Sequence, residues 1–203
     1  MATGIENEKP ASILGGRFSY ENRALAVLGL TFGFVFFDRN ALNFLAPYVM
    51  QDLSLSNTQI GLLASGLSLA WAASGYAGGR LCDAIGRHRL ILIVAVVGFS
   101  LCSFLSAFAT SFLMLLVARV LMGLAEGPVL PISQVLMAQA SSPHRRGFNM
   151  GAMQQFGANV LGTFIAPVAL VALAVHFGWR SAFFIAGVPG LICALLIWRT
   201  IRD

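Results

Sequence analysis

The sequence predicts an all-α membrane protein of six transmembrane helices, and three observations carry that prediction. Of its 203 residues, 58% are hydrophobic and 10% charged, against roughly 25% charged in a soluble domain. A soluble globule of this length could not bury so much apolar surface. Six apolar runs, at about 23–48, 58–79, 89–109, 112–138, 148–175 and 181–200, each come near the roughly 20 residues a spanning helix needs. The basic residues then fall on alternate connections. Lys9, Arg17, Arg23, Arg80, Arg87, Arg89, Arg145, Arg146, Arg199 and Arg202 lie on one side, and Arg180 on the other. Basic residues favour cytoplasmic loops, so a multi-pass cell-membrane protein with both termini cytoplasmic is expected. The organisation that follows is a cytoplasmic tail over 1–22 and a six-helix bundle over 23–203.

The totals also exclude function classes. The net charge of +5 belongs to topology and is no argument for nucleic acid. Cys82, Cys102 and Cys193 match neither a metal pattern nor a disulfide framework, and read as small buried hydrophobes. Residues 1–22 hold no apolar core of signal-peptide length, so the first span is expected to be retained. Nothing resembles a catalytic triad, a phosphate loop or a metal site. No enzyme activity and no cofactor are expected.

Span 1 carries Asp38, Arg39 and Asn40 near its middle, with Asn43 one turn later, and is expected to end at Pro47. Adjacent helical residues point about 100° apart, so Asp38 and Arg39 need not pair. Span 2 opens with Ser56-Asn57-Thr58-Gln59, the form of a capping box. Its many small residues, from Gly61 to Gly79, predict close packing through much of its surface. Gly29-x-x-x-Gly33 and Gly123-x-x-x-Gly127 offer the same feature on spans 1 and 4.

Span 4 is the least ordinary. It holds Arg119 and Glu126 in a stretch apolar enough to cross a bilayer, where a charge costs roughly 2.5–3.5 kcal/mol. The pair is separated by roughly 10 Å of helix on nearly the same face, too far for direct neutralisation. Each must find a partner on another helix or face water. Pro128 and Pro131 follow, so carbonyls near Glu126 lose their donors. An ion pair holding span 1 to span 4 and a water-filled polar cavity are both compatible with these four charges. In span 5, Gln155 and Asn159 share a face at i and i+4, able to bond a substrate or a neighbouring helix. His144 is expected in a wet loop. His176 is placed in an outer loop beside Trp179, an interface anchor.

Between spans 2 and 3 the chain reads Gly79-Arg80-Leu81-Cys82-Asp83-Ala84-Ile85-Gly86-Arg87-His88-Arg89. This resembles the G-x-L-x-D-x-x-G-R-[KR]-x motif of the major facilitator superfamily, at the position and on the side where that family carries it. Ala84 and His88 depart from the usual basic residues. Gly86 permits a tight turn and Gly79 a close helix crossing, while Asp83 can meet helix N-terminal amides or an arginine. The resemblance implies that Gly79, Asp83, Gly86 and Arg87 belong to a cytoplasmic gate. Asp38-Arg39, Arg119-x-x-x-Gly123-x-x-Glu126-Gly127 and Trp179-Arg180-x-x-Phe183 resemble the anion:cation symporter branch of the same family.

That resemblance implies the N-terminal half of a twelve-helix fold, built from two inverted three-helix repeats. It makes Arg39 the ligand of an anionic substrate, with Asn43, Gln155 and Asn159 as further binding candidates. Asp38 and Glu126 become proton-coupling acids, and Arg119 their charge partner. The expected function is proton-coupled symport of small organic anions by alternating access. The expected partners are that anion, protons, the lipid bilayer and a second six-helix half. A spinster-like lipid carrier, a drug/proton antiporter and a non-transporting scaffold are the alternatives.

Overall fold

The computed structural model describes residues 20–202, with the side chains of Leu81 and Asp83 outside the described residues. Helix α1, Tyr20–Leu53, runs unbroken through Asp38 and also through Pro47. Span 1 therefore ends six residues later than the proline suggested. Pro47 removes only its own donor, near a helix end where a freed carbonyl is tolerated. The helix stops instead at Ser54, which takes a positive φ of 52°. Helix α2, Asn57–Ile85, begins with the expected capping box: Ser56 Oγ accepts from the Gln59 amide at 3.2 Å, and Gln59 Oε1 accepts from the Ser56 amide at 2.9 Å. It ends at Gly86, whose φ of 69° is the left-handed turn that glycine makes without steric cost.

Helix α3, His88–Ala107, leads to span 4, which is two helices. Helix α4, Phe112–Glu126, is capped by Ser111, and helix α5, Val129–Ala140, begins after Pro128. The break falls directly behind Glu126, where Pro128 and Pro131 provide no N–H. Helix α6, Arg146–Gly157, passes into a π-helical stretch, Ala158–Ile165, and then into α7, Ala166–Thr200.

Together 146–200 form a 55-residue helical stretch, the last of five among the described residues long enough and apolar enough to cross a membrane. At about 1.5 Å per residue it would be roughly 80 Å long, far beyond a hydrocarbon core of about 30 Å. It folds back at Gly178, which has φ 82° and ψ 158°. Residues on either side of the reversal meet opposite ends of the bundle. Arg180 bonds Asp52 in the last turn of α1 and the Ala109 carbonyl after α3, while the Arg89 guanidinium donates to the Trp198 carbonyl beside the α2–α3 turn. Six crossings result.

The helix pairs in contact have an internal symmetry. Span 1 packs on spans 5 and 6, span 4 packs on spans 2 and 3, and span 3 packs on span 6. Exchanging 1 with 4, 2 with 5 and 3 with 6 maps this set onto itself, as two inverted three-helix repeats require.

Small residues make the closest crossings. A Cβ on Gly157 would overlap the Gly29 carbonyl oxygen, and one on Gly33 would lie 2.8 Å from the Gly157 oxygen. A Cβ on Gly127 would lie 2.6 Å from the Gly75 nitrogen, and Ser74 Oγ donates to the Gly123 carbonyl at 3.0 Å. Among the described residues, close packing of α2 is confined to this one face. Gly61, Ala64, Ser65, Ser68, Ala72 and Ala73 are exposed, because α2 has α4 as its main neighbour. Nor does Gly79 make the crossing: a Cβ there meets nothing within 4 Å among the described residues, whereas one on Gly78 would strike the Pro128 ring.

Two apolar clusters fill the bundle. One, including Leu28, Leu92, Phe99, Met137 and Met153, lies toward the start of α1; the other, including Leu45, Leu63, Leu115, Leu170 and Phe183, lies toward its end. The buried charges Asp38, Arg119 and Glu126 fall between them, while buried Asn149 and Ser141 lie at the start of α1 beside Glu21.

Candidate functional site

The middle of α1 delivers Asp38, Arg39 and Asn40; α4 delivers Arg119, Met122 and Glu126; α3 adds Ser103, and the 179–200 segment adds Phe183. Asp38 and Arg119 are fully buried and Glu126 is 1% exposed. Such burial removes the water that normally pays most of the solvation of a charge, so the protein contacts decide the balance.

Those contacts are few. Asp38 Oδ1 lies 2.8 Å from Ser103 Oγ, while its Oδ2 has no hydrogen-bond partner among the described residues. Arg119 Nη1 donates to Met122 Sδ at 3.4 Å, and its guanidinium carbon lies 4.6 Å from the centre of the Phe183 ring. Arg119 Nε and Nη2 and both Glu126 oxygens lack hydrogen-bond partners among the described residues. The ion pair considered between spans 1 and 4 is therefore not formed. The two ion pairs among the described residues are Arg145–Glu21 at 3.8 Å and Arg180–Asp52 at 2.6 Å. The four central charges still interact through space: Glu126 is subject to Asp38, Arg39 and Arg119, and Arg119 to both acids. Two acids and two arginines make the layer formally neutral.

Arg39 is half-buried and makes neither an ion pair nor a hydrogen bond among the described residues. Its guanidinium carbon lies 4.6 Å from the centre of the Trp71 ring. With Arg119, Asn40 and Asn43 it lines a cavity of about 60 Å³. At about 30 Å³ per water, that is room for two waters. Neither Asp38 nor Glu126 lines this cavity, so it presents two cations.

Asn40 also lines a second cavity, of about 390 Å³, with Phe36, Gln155 and Asn159. Gln155 and Asn159 bond each other at 3.3 Å and are exposed, holding no neighbouring helix among the described residues. Gln155 lies in the last turn of α6 and Asn159 in the first turn of the π-helical stretch, which Asn40 supports. The Ala166 amide donates to Leu161, five residues back, and Pro167 has no N–H to offer Gly162. The Gly162 carbonyl is left open, and Asn40 Nδ2 donates to it at 3.3 Å. Pro167 was the sequence signal for this irregularity.

The structure thus brings Asp38, Arg39, Asn43, Arg119 and Glu126 into one layer, with Gln155 and Asn159 on the adjoining cavity. Gly79, Gly86 and Arg87 lie apart, at the α2–α3 turn, and the side chain of Asp83 lies outside the described residues. Trp179 is 5% exposed and is no interface anchor: its Nε1 donates to Asp52 at 3.2 Å, which draws the indole inside. Sequence reasoning missed Ser103 and Trp71, which are unremarkable until α3 and α2 are set against their partners. It also missed Glu21, whose carboxylate accepts from Asn149 Nδ2 at 2.6 Å and from Ser142 Oγ at 3.2 Å, tying the start of α1 to the α5–α6 turn.

Comparison with known proteins puts these features in a family context. A sequence model of the Major Facilitator Superfamily matches residues 28–203. A hexuronate transporter of Bacillus subtilis is 33% identical over 168 residues, covering 83% of this chain and 39% of that protein. A probable sulfoacetate transporter of Cupriavidus necator is 29% identical, covering 92% of this chain and 43% of that protein. The crystal structure of a bacterial homologue of the human lysosomal transporter Spinster, inward-facing and occupied, superimposes with a TM-score of 0.83. It is 25% identical, over 93% of this chain and 46% of that one. The chain spans about four-tenths of the length of the curated relatives it matches.

Proposed function

Because the chain belongs to the major facilitator superfamily, we propose that the whole protein is a secondary active transporter that imports small organic anions together with protons. The observation that carries this reading is Arg39: a half-buried cation that makes no ion pair among the described residues, lining a cavity with a second, fully buried arginine. A carboxylate is the ligand such a pair suits, since charge-assisted bonds to a guanidinium are stronger than neutral ones. The names of the hexuronate and sulfoacetate relatives point to the same cargo class.

Charge balance supplies the coupling. A monoanion entering the neutral layer between Arg39 and Arg119 leaves it one negative charge in excess. One proton on Glu126 or Asp38 restores neutrality, and the loaded layer can then pass from one access state to the other without an uncompensated buried charge. On this reading Glu126 and Asp38 couple protons, Arg119 compensates them, and Asn43, Gln155 and Asn159 contact the polar remainder of the cargo. The α2–α3 turn, with Gly79, Asp83, Gly86 and Arg87, acts as a cytoplasmic latch. A plasma or inner membrane with both termini cytoplasmic, a tail preceding α1 (which begins at Tyr20, inside the 1–22 expected from the sequence) and a second six-helix half completing the pathway belong to the same proposal. Family membership favours transport over enzymatic chemistry.

The test is uptake of labelled sugar acids, aromatic acids and dicarboxylates by vesicles holding the full-length protein under an inward proton gradient. Gradient-driven accumulation of one acid, abolished by Glu126→Gln and by Arg39→Ala, is the expected result. No accumulation of any acid by inserted, folded protein would sink the reading.

A lipid-carrying function is the second reading, favoured by one feature. A groove of about 580 Å³ between α1 and α6 is lined by Leu25, Leu30, Phe148, Phe156 and Val160, an apolar surface suited to an acyl chain. It would come forward if labelled lysolipid or sphingoid base, rather than a carboxylate, were moved.

A further inference from the structure

Three serines lie buried on one face of α3, and one behaves differently. Ser100 donates to Val96 at 3.0 Å and Ser106 to Cys102 at 2.9 Å, each bonding the carbonyl one turn back. Ser103 lies between them, leaves its own helix and bridges two others. Its Oγ is 2.8 Å from Asp38 Oδ1 of span 1 and 2.9 Å from the Phe183 carbonyl oxygen of span 6. A hydroxyl has a single hydrogen to donate. The carbonyl can only accept. An ionised Asp38 therefore leaves the two acceptors competing for one hydrogen or sharing it, whereas a protonated Asp38 donates to Ser103 and frees the whole Ser103 hydrogen for Phe183.

We propose that Ser103 is a positioning residue that reads the protonation state of Asp38 and passes it to span 6. With Asp38 ionised, the Ser103 hydrogen turns to the carboxylate, and span 3 is tied to span 1. When a proton joins Asp38 Oδ1, the carboxyl becomes the donor, the Ser103 hydrogen turns to the Phe183 carbonyl, and span 3 is tied to span 6. The proton comes from hydronium in the water of the access pathway, so one O–H bond breaks there as one forms on the carboxyl, and no other covalent bond changes. Phe183 is also the residue whose ring lies under Arg119, so the shift reaches the cation that faces the cavity. The crossing of spans 3 and 6 leaves little slack to absorb it, since a Cβ on Gly187 would lie 3.0 Å from the Ser100 carbonyl oxygen and one on Gly190 would strike the Ser100 hydroxyl. The other charged or titratable groups facing Asp38 are Cys102 on α3 and Arg119 and Glu126 on α4, while Arg39, next to it on α1, lies over the Trp71 ring. Span 6 offers it the Phe183 carbonyl through Ser103. This inference rests on the proton-coupled reading above, and its test is chosen to separate the two.

The experiment uses full-length protein reconstituted in lipid, with Ser103→Ala and Ser103→Thr. The first readout is the pH profile of labelled-anion uptake. The second is the infrared carbonyl band of protonated Asp38, identified by its loss in Asp38→Asn and followed through a pH titration. Ser103→Ala is expected to move both midpoints by about one pH unit, the size set by one hydrogen bond to an ionisable group. Ser103→Thr, which keeps the hydroxyl, should hold the wild-type midpoints. If Ser103→Ala does not insert, Ser103→Cys keeps the volume with a much weaker donor and should show the same shift. A lower uptake rate with both midpoints unmoved overturns the proposal and leaves Ser103 a packing residue. If the wild type moves no anion, the transport reading fails, while the infrared titration still decides the role of Ser103.

Discussion

Arg180 and Asp52, 128 positions apart in the chain, meet at 2.6 Å where the connections between spans 1 and 2, 3 and 4, and 5 and 6 converge. The same Asp52 oxygen accepts from Trp179, and Arg180 also reaches the Ala109 carbonyl. The ion pair is more than two-fifths exposed, so solvent screening leaves it worth about 1 kcal/mol at most. Its partner bond matters more, because losing Asp52 strands a buried indole N–H.

Asp52→Ala is therefore expected to be the more damaging change at this junction. It should lower the melting temperature in detergent by about 4–8 °C, against about 1–3 °C for Arg180→Ala. Thermal unfolding followed by tryptophan fluorescence measures both. Equal losses would mean that the indole bond contributes nothing.

Asn40 is expected to stabilise the π-helical stretch through a single bond. Asn40→Leu strands the Gly162 carbonyl and should cost about 1–3 kcal/mol. Pro167→Ala restores an N–H in the place where π-helical bonding needs one. The double variant should then recover part of that loss, which a double-mutant cycle of denaturation midpoints would reveal. Strict additivity would disprove the link between Pro167 and Asn40.

Gly157→Ala is expected to prevent spans 1 and 5 from meeting, since its methyl would overlap the Gly29 carbonyl. The same change at Gly147, where a Cβ meets nothing within 4 Å, is the matched control. Size-exclusion profiles should show loss of the folded peak for the first and a normal peak for the second.

Arg39→Lys tests whether the cation acts as a fork or as a point charge. Lysine keeps the charge but gives up bidentate bonding and much of the stacking on Trp71. The half-saturating concentration of the anion should rise about tenfold or more, with the pH profile unchanged. Trp71→Ala should produce a smaller rise in the same direction, because the arginine loses its platform and keeps its chemistry.

Much of this architecture was legible from composition and periodicity. Apolar run length predicted the crossings, the Ser56 box predicted where α2 begins, and the two prolines after Glu126 predicted the broken span. What stayed hidden depends on contacts distant in sequence. Asp38 and Arg119 mark a polar layer on their own, yet Ser103 and Phe183, which hold them, look like ordinary helix residues until spans 3 and 6 are set against spans 1 and 4. Pro47 misled because a proline signals a lost donor, and the end of a long helix tolerates the loss. Gly79 misled because a run of small residues does not say which face is covered.

The Gly178 reversal has a practical consequence. Spans 5 and 6 are joined by a single residue that leaves the helical region, so the joint has no spare length. One added residue would rotate Trp179 and Arg180 by about 100° away from Asp52. Reporter tags and epitope insertions for mapping sidedness therefore belong in the bend around Ser54, where the strand of chain between α1 and α2 can lengthen without turning either helix. At Gly178 the same insertion would act as a mutation of the bundle itself.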